Sequence, residues 1–258
     1  MEKGYRKEKI LLIAPVFFGY YQEIKNKMEE LGYQVDYFCD APGNSNLLKA
    51  VGRVNKNLLR PLTERYYKQE ISPCIENKKY RYVVVIAGMT FSLLPSMLED
   101  VKRKNPDAKW VMYQWDSEKN LPYCKSIHTF FERIYSFDDR DCKKNSMYRF
   151  MPLFYLDCYG QIRKKQKTEV KYDCCYVGTA HPKKYKEVKS MTDELKKKLP
   201  VQYIYHYMPS RLKYYYQKVM SAEFRKAKRK EFCFAKLTKE EIVNLYEASR
   251  CVLDAPQD

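Results

Sequence analysis

Three short stretches combine residue types and spacings able to do chemistry. Trp115-Asp116-Ser117 directly follows the apolar run Trp110 to Gln114. A carboxylate at the carboxyl end of a buried strand can take the proton from a bound hydroxyl, so Asp116 is the candidate general base and Ser117 a neighbouring substrate contact. The structural alternative for Asp116 is a helix cap or a solvated charge. Gly178 and Thr179 are followed by His181, Lys183 and Lys184. If that segment is a strand-to-helix turn, its backbone N–H groups and lysines suit a phosphate. Gly19 and Tyr20 follow the first apolar run, where a glycine lets a ligand approach the backbone or simply satisfies a tight turn.

Other polar groups read as structural. His128 lies beside Phe130 and Phe131 and is expected to pack rather than to move protons. Asp138, Asp139 and Asp141 are interleaved with Arg140 and followed by Lys143 and Lys144, a pattern for capping and ion pairing rather than for a metal. Nine cysteines are scattered with no C-x-x-C spacing, and there are only three histidines. That usage fits reduced thiols in a cytosolic protein, and neither a metal nor a bound cofactor is expected.

Arg211 to Lys230 holds eight basic residues and one acidic residue, interleaved with Tyr214, Tyr215, Tyr216 and Phe224. An anionic membrane surface would meet Arg211, Lys218, Arg225, Lys228 and Arg229. RNA ranks lower, because no nucleic-acid motif accompanies the charge. A plain solvated face is the structural alternative.

The elements that must position these residues alternate. Residues 10–14 read as a strand, Tyr21, Ile24, Met28 and Leu31 as a helix stopped by Gly32, and Tyr33, Val35 and Tyr37 as a second strand, which makes one βαβ unit. Residues 41–79 begin with a turn-rich Ala-Pro-Gly-Asn-Ser-Asn segment and continue as helix broken at Pro61 and Pro73. Strands are expected at Tyr82–Ala87, Trp110–Gln114, Ile134–Phe137 and Arg149–Phe154, with a helix carrying Leu94, Met97, Leu98 and Val101. A second unit restarts with strand Asp173–Val177 and a turn at Gly178-Thr179. It goes on through a helix striped by Tyr185, Val188, Met191, Leu195 and Leu199, strand Gln202–Tyr207, a basic helix from about Ser210 to Arg229, a capping box at Thr238 and Glu241, and a strand leading to Asp254.

These elements predict an α/β protein of two Rossmann-like, doubly wound lobes. The first spans 1–158, a charged linker covers 159–171, and the second spans 172–258. The 258 residues are 45% hydrophobic, enough for a buried core, and the formal net charge is +17. The bias is stronger late in the chain: 26 basic against 19 acidic groups in residues 1–150, then 23 against 13. Such a surface favours anionic partners. No run approaches the roughly 18 apolar residues of a membrane span, and Pro15 within the run Ile10 to Phe18 argues for a strand rather than a signal peptide.

The order of segments, with Trp115-Asp116-Ser117 after an internal strand, Tyr176-Val177-Gly178-Thr179 opening the second unit and E-I-V-N-L-Y-E-A-S-R-C-V-L-D over residues 241–254, resembles bacterial glycosyltransferases of capsular and lipopolysaccharide biosynthesis. These are GT-B-type proteins related to the CgeB-like group. The resemblance spans nearly the whole chain. It implies transfer of a sugar from a nucleotide-sugar to a glycan or lipid-linked acceptor, without a metal, in the cytoplasm or at the inner face of the plasma membrane. In that family a glycine-containing loop and a helix that hold the donor diphosphate follow the Val-Leu-Asp strand. The sequence ends at Asp258, so the second lobe is expected to be incomplete, and the competing expectation is a noncatalytic homologue or scaffold.

Overall fold

The computed structural model describes residues 8–43, 56–88, 90–162 and 169–255. The turn residues expected at 44–46 and residues 163–168 of the expected linker lie outside the described residues. The chain divides into two compact units, Met1–Phe154 and Tyr155–Asp258, a division falling just ahead of the expected lobe end at 158. Each unit is α/β, built on one parallel sheet.

In the first unit, β1 (Lys9–Ala14), β2 (Gln34–Cys39), β3 (Tyr82–Ala87), β4 (Lys109–Gln114), β5 (Arg133–Ser136) and β6 (Tyr148–Phe150) form a six-stranded sheet in the order 2-1-3-4-5-6. All five strand pairs are parallel. The central strand shows why the sequence folds this way. Alternate side chains of a strand point to opposite faces, and β1 is apolar on both. Ile10, Leu12 and Ala14 meet Tyr21, Ile24 and Met28 of α1 (Tyr20–Glu30), whereas Leu11 and Ile13 join the main core. That core continues through Met97, Leu98 and Val101, the buried face of a later helix, Pro95–Lys104. A strand buried on both faces belongs inside a parallel sheet covered by helices on each side.

Between β2 and β3, residues 56–76 are helical throughout, without the expected breaks. A 3-10 turn (Lys56–Leu59) leads into α2 (Arg60–Tyr66), then a π turn (Tyr67–Ile71), then α3 (Ser72–Glu76). Each proline sits at the start of an α segment, where its missing N–H is tolerated, and the wider π turn precedes Pro73. The strand expected at 149–154 is shorter, ending at Phe150. Among the described residues this unit also has α4 (Pro95–Lys104), a 3-10 helix at Pro122–Phe130 and α5 (Asp139–Lys144).

The second unit opens with α6 (Asp157–Gly160). It then alternates β7 (Tyr172–Thr179), α7 (Pro182–Leu195), β8 (Gln202–Tyr207), α8 (Arg211–Met220), α9 (Ala222–Arg225), β9 (Phe232–Cys233), α10 (Lys239–Glu247) and β10 (Ser249–Val252). Its sheet is parallel, in the order 10-7-8-9. Two expectations are corrected. Gly178 and Thr179 are not a turn: they are the last residues of β7, paired with His206 and Tyr207. The basic segment is not one helix: it breaks at the buried Ser221, which separates α8 from α9, and a 3-10 turn follows at Arg229–Glu231. The capping box forms as expected, with Thr238 Oγ1 accepting from Glu241 N at 3.2 Å and Thr238 N donating to Glu241 Oε2 at 2.7 Å.

Candidate functional site

In open α/β sheets, ligands bind beyond the carboxyl ends of the strands, where strand order reverses. The order 2-1-3-4-5-6 puts that point between β1 and β3 in the first unit. In the second, counting strands from β7, the order is 3-2-1-4, and the point lies between β7 and β10. Each unit therefore presents its own candidate site.

Beyond β1 the chain turns through Phe17 and Phe18 to Gly19. Phe18 has φ 48° and Gly19 φ 76°, so two successive residues are left-handed, a conformation that only glycine takes without strain. An added Cβ at Gly19 would meet only Gln22 Oε1, at 3.7 Å, so backbone conformation rather than space requires glycine there. The turn throws Phe17 and Phe18 outward, both more than half exposed, with their rings 4.5 Å apart. Tyr20, the first residue of α1, stands beside them at 6.0 and 6.1 Å. Tyr20 also contacts Trp115 at 6.1 Å and Phe154 at 5.7 Å, and Trp115 lies 5.8 Å from Phe154. Five aromatic rings thus form a ledge at the carboxyl end of this sheet, and burial pushes the Tyr20 phenol above its ordinary pKa.

Asp116 follows Trp115 on the same rim. Its Oδ1 accepts from Ser117 N at 2.9 Å and from Asn120 Nδ2 at 2.8 Å, which fixes the carboxylate, and among the described residues Oδ2 has no hydrogen-bond partner. The structural reading of Asp116 is thus seen in Oδ1, which closes a local turn, while Oδ2 is left unpartnered among the described residues. Ser117 takes part through its backbone rather than its hydroxyl. The buried Trp115 Nε1 also lacks a partner among the described residues. Behind the rim the ends of β1, β2 and β3 are fastened together by the fully buried Asp40. Its carboxylate accepts from Thr90 Oγ1 at 2.9 and 3.1 Å, its N–H reaches Ala14 O, and its carbonyl takes Ser92 N. Tyr123 Oη donates to Gly88 O on the same edge.

In the second unit, Gly178 is glycine for a packing reason. A Cβ there would stand 2.2 Å from Tyr176 Oη and 2.6 Å from its Cζ, because Tyr176, two residues earlier on the same face of β7, lays its ring along the strand. Tyr176 is 1% exposed, and its hydroxyl has no partner among the described residues. The same holds for Nδ1 of His206, whose ring lies 5.1 Å from that of Tyr176. Burial lowers the His206 pKa to about 4, so the imidazole is neutral. Lys184, in the first turn of α7, places Nζ 5.9 Å from the Tyr176 ring centre and 3.2 Å from Asp254 Oδ1, just past β10. Lys183 is exposed. His181 is the N-cap residue of α7, without a side-chain capping bond. Its pKa is lowered by burial and by Lys213 and Lys184, which leaves it a neutral ring at the helix start.

His128, Asp138 and Asp141 make the packing, capping and hydrogen-bonding contacts expected of them. His128 is buried, 3.1 Å from Gln114 Oε1 and edge-on to Tyr148. Asp138 caps α5 by accepting from Arg140 N, and the Arg140 guanidinium beside it holds its carboxyl below the usual range. Asp141 accepts from Glu118 N at 2.6 Å. In the basic segment, Lys218 turns inward to Tyr214 Oη and Ala227 O, and Arg229 stacks near Phe234, whereas Arg211, Arg225 and Lys228 are exposed. Of the aromatic ledge, Tyr20 alone was a site candidate from the sequence, beside Gly19, with Phe18 read as the end of the first apolar run. Phe154 and Trp115 join it only through the fold, and neither Tyr176 nor His206 had a role of its own in the sequence pattern.

No helix among the described residues is long and apolar enough to cross a membrane. No protein-family model matches the chain, and no curated protein matches it significantly.

Proposed function

We propose that the protein is a GT-B-type glycosyltransferase of bacterial capsular or lipopolysaccharide assembly, moving a sugar from a nucleotide-sugar to a glycan hydroxyl. The observation that carries this reading is the open oxygen of Asp116 beside the ledge of Phe17, Tyr20, Trp115 and Phe154. Sugars present C–H faces that rest on the negative faces of aromatic rings, and hydroxyls that seek carboxylates. On this reading the acceptor lies against the ledge and its hydroxyl donates to Asp116 Oδ2. The hydroxyl oxygen bonds to the anomeric carbon, the bond from that carbon to the diphosphate breaks, and the proton passes to Asp116.

On this reading the donor side falls to the second unit, whose 3-2-1-4 strand order matches the first four positions of the 3-2-1-4-5-6 dinucleotide-binding sheet. The start of α7 with Lys184 supplies positive potential for a departing diphosphate. The unpartnered Tyr176 hydroxyl and His206 Nδ1 are buried polar groups for which a further hydrogen bond is worth most. The nucleotide-sugar is the co-substrate in this proposal, and the transfer uses no metal.

The test is a panel of nucleotide-sugars examined by calorimetry for binding and by nucleotide release for turnover, with wild type and Asp116→Asn. The expected result is one donor that binds both proteins alike, with turnover about 10²–10⁴-fold slower in the variant. Binding without turnover in wild type assigns the noncatalytic alternative. The proposal fails if no nucleotide-sugar binds, or if Asp116→Asn turns over at the wild-type rate.

A further inference from the structure

A surface helix ordinarily turns its apolar stripe to the core, and α8 does the reverse. Leu212, Tyr215, Tyr216, Val219 and Met220 fall at the 3-1-3-1 spacing of one helix face, and all five are exposed, from 55% for Tyr215 to 83% for Leu212. The opposite side is fastened down. Tyr214 is 2% exposed, packs against Phe232 at 5.2 Å and donates its hydroxyl to Ala227 O at 3.1 Å. Ser210 caps the helix by accepting from Lys213 N. The stripe is therefore held outward by the fold, not left out by a loose helix.

Charge decides what suits such a face. At 3.6 residues per turn, Arg211 falls on one edge of the stripe and Lys213 on the other. Arg225 and Lys226 continue the exposed positive surface just beyond α8, and residues 211–230 carry eight cations against Glu223 alone. An apolar stripe with tyrosines, flanked by cations on a short fixed helix, matches the boundary between lipid headgroups and acyl chains. Each basic residue near an anionic leaflet adds attraction. A nucleic-acid backbone would use the cations but leave the five apolar side chains in water.

We propose that α8 docks the protein on an anionic membrane surface, with Leu212, Tyr216 and Val219 entering the headgroup boundary and Arg211, Arg225 and Lys226 contacting lipid phosphates. The inference stands apart from the sugar-transfer reading. If both hold, the acceptor is lipid-linked.

The experiment is flotation of the full chain with vesicles of phosphatidylcholine alone or mixed equally with phosphatidylglycerol. Two variants accompany it, Leu212→Ser/Val219→Ser and Arg211→Glu/Arg225→Glu/Lys226→Glu. Among the described residues none of these side chains has a hydrogen bond or ion pair, and circular dichroism checks that both variants fold. The expected result is binding to the anionic vesicles, weakened by salt and reduced by at least about tenfold in each variant. Equal or absent binding to the two vesicle types overturns the proposal, as does anionic-vesicle binding that survives the serine substitutions. A dimer broken by those substitutions, or RNA binding that they leave intact, overturns it when vesicle binding is absent.

Discussion

The two units use one building principle, parallel strands joined by helices, and finish it differently. In the first, both faces of the sheet are covered, and exposed aromatic rings gather at the strand ends beyond β1 and β4. In the second, the strand ends hold buried, unpartnered polar atoms, and the exposed apolar surface lies on the outer side of α8. Apolar exposure concentrated at strand ends suits a ligand, and apolar exposure along a helix suits a surface. The same composition therefore supports different roles, depending on which part of the layer it decorates.

The largest expected contrast between the units is in pH dependence. His206, buried in the second unit, has a folded pKa of about 4 against 6.5 in the unfolded chain. The unfolded state thus binds a proton that the folded state refuses. Its contribution is complete above pH 6.5 and is lost as pH falls towards 4, by about 3 kcal/mol at most. His206→Phe should flatten that loss in hydrogen exchange of β7 and β8 measured between pH 7 and 4.5. An unchanged slope would show that His206 is not the group responsible.

Two glycines sharpen the comparison at the next level. Gly178→Ala drives a Cβ into the Tyr176 ring and should cost about 1–3 kcal/mol, recovered in part by Tyr176→Val, which removes the ring. Gly19→Ala in the first unit meets nothing close and should cost only about 1 kcal/mol, from its left-handed backbone, with no rescue by a neighbouring substitution. Urea unfolding of the single and double variants measures both. Both tryptophans lie in the first unit, so fluorescence follows Gly19→Ala and exchange of β7 follows Gly178→Ala.

The smallest effect is Thr238→Ala, which removes one half of the capping box of α10 and should destabilise the second unit by about 1 kcal/mol, with little change in tryptophan fluorescence. A comparable loss followed by fluorescence would mean that the units unfold together.

Much of this was legible in residue order. The apolar run Tyr82–Ala87 called for a parallel strand buried on both faces, and Thr238 with Glu241 announced a helix start, because these depend on neighbours within a few residues. Gly19, Tyr20 and the carboxylate of Asp116 were equally visible as candidates. Local pattern failed where a distant or competing group intervened. Gly178 looked like a turn because glycine favours turns, yet it continues β7, where the Tyr176 ring needs the space.

What the sequence alone determined, then, is the kind of layer and the types of side chain at its strand ends, since periodicity and capping are local. The tertiary structure decided the strand orders 2-1-3-4-5-6 and 10-7-8-9, and with them where each strand-order reversal falls. It brought Phe154 to Trp115 and His206 to Tyr176, turned Lys218 inward, and left the stripe of α8 facing out. Those outcomes rest on which strands become neighbours and which helix face is buried. Contacts between residues far apart in the chain set both, and no window of sequence contains them.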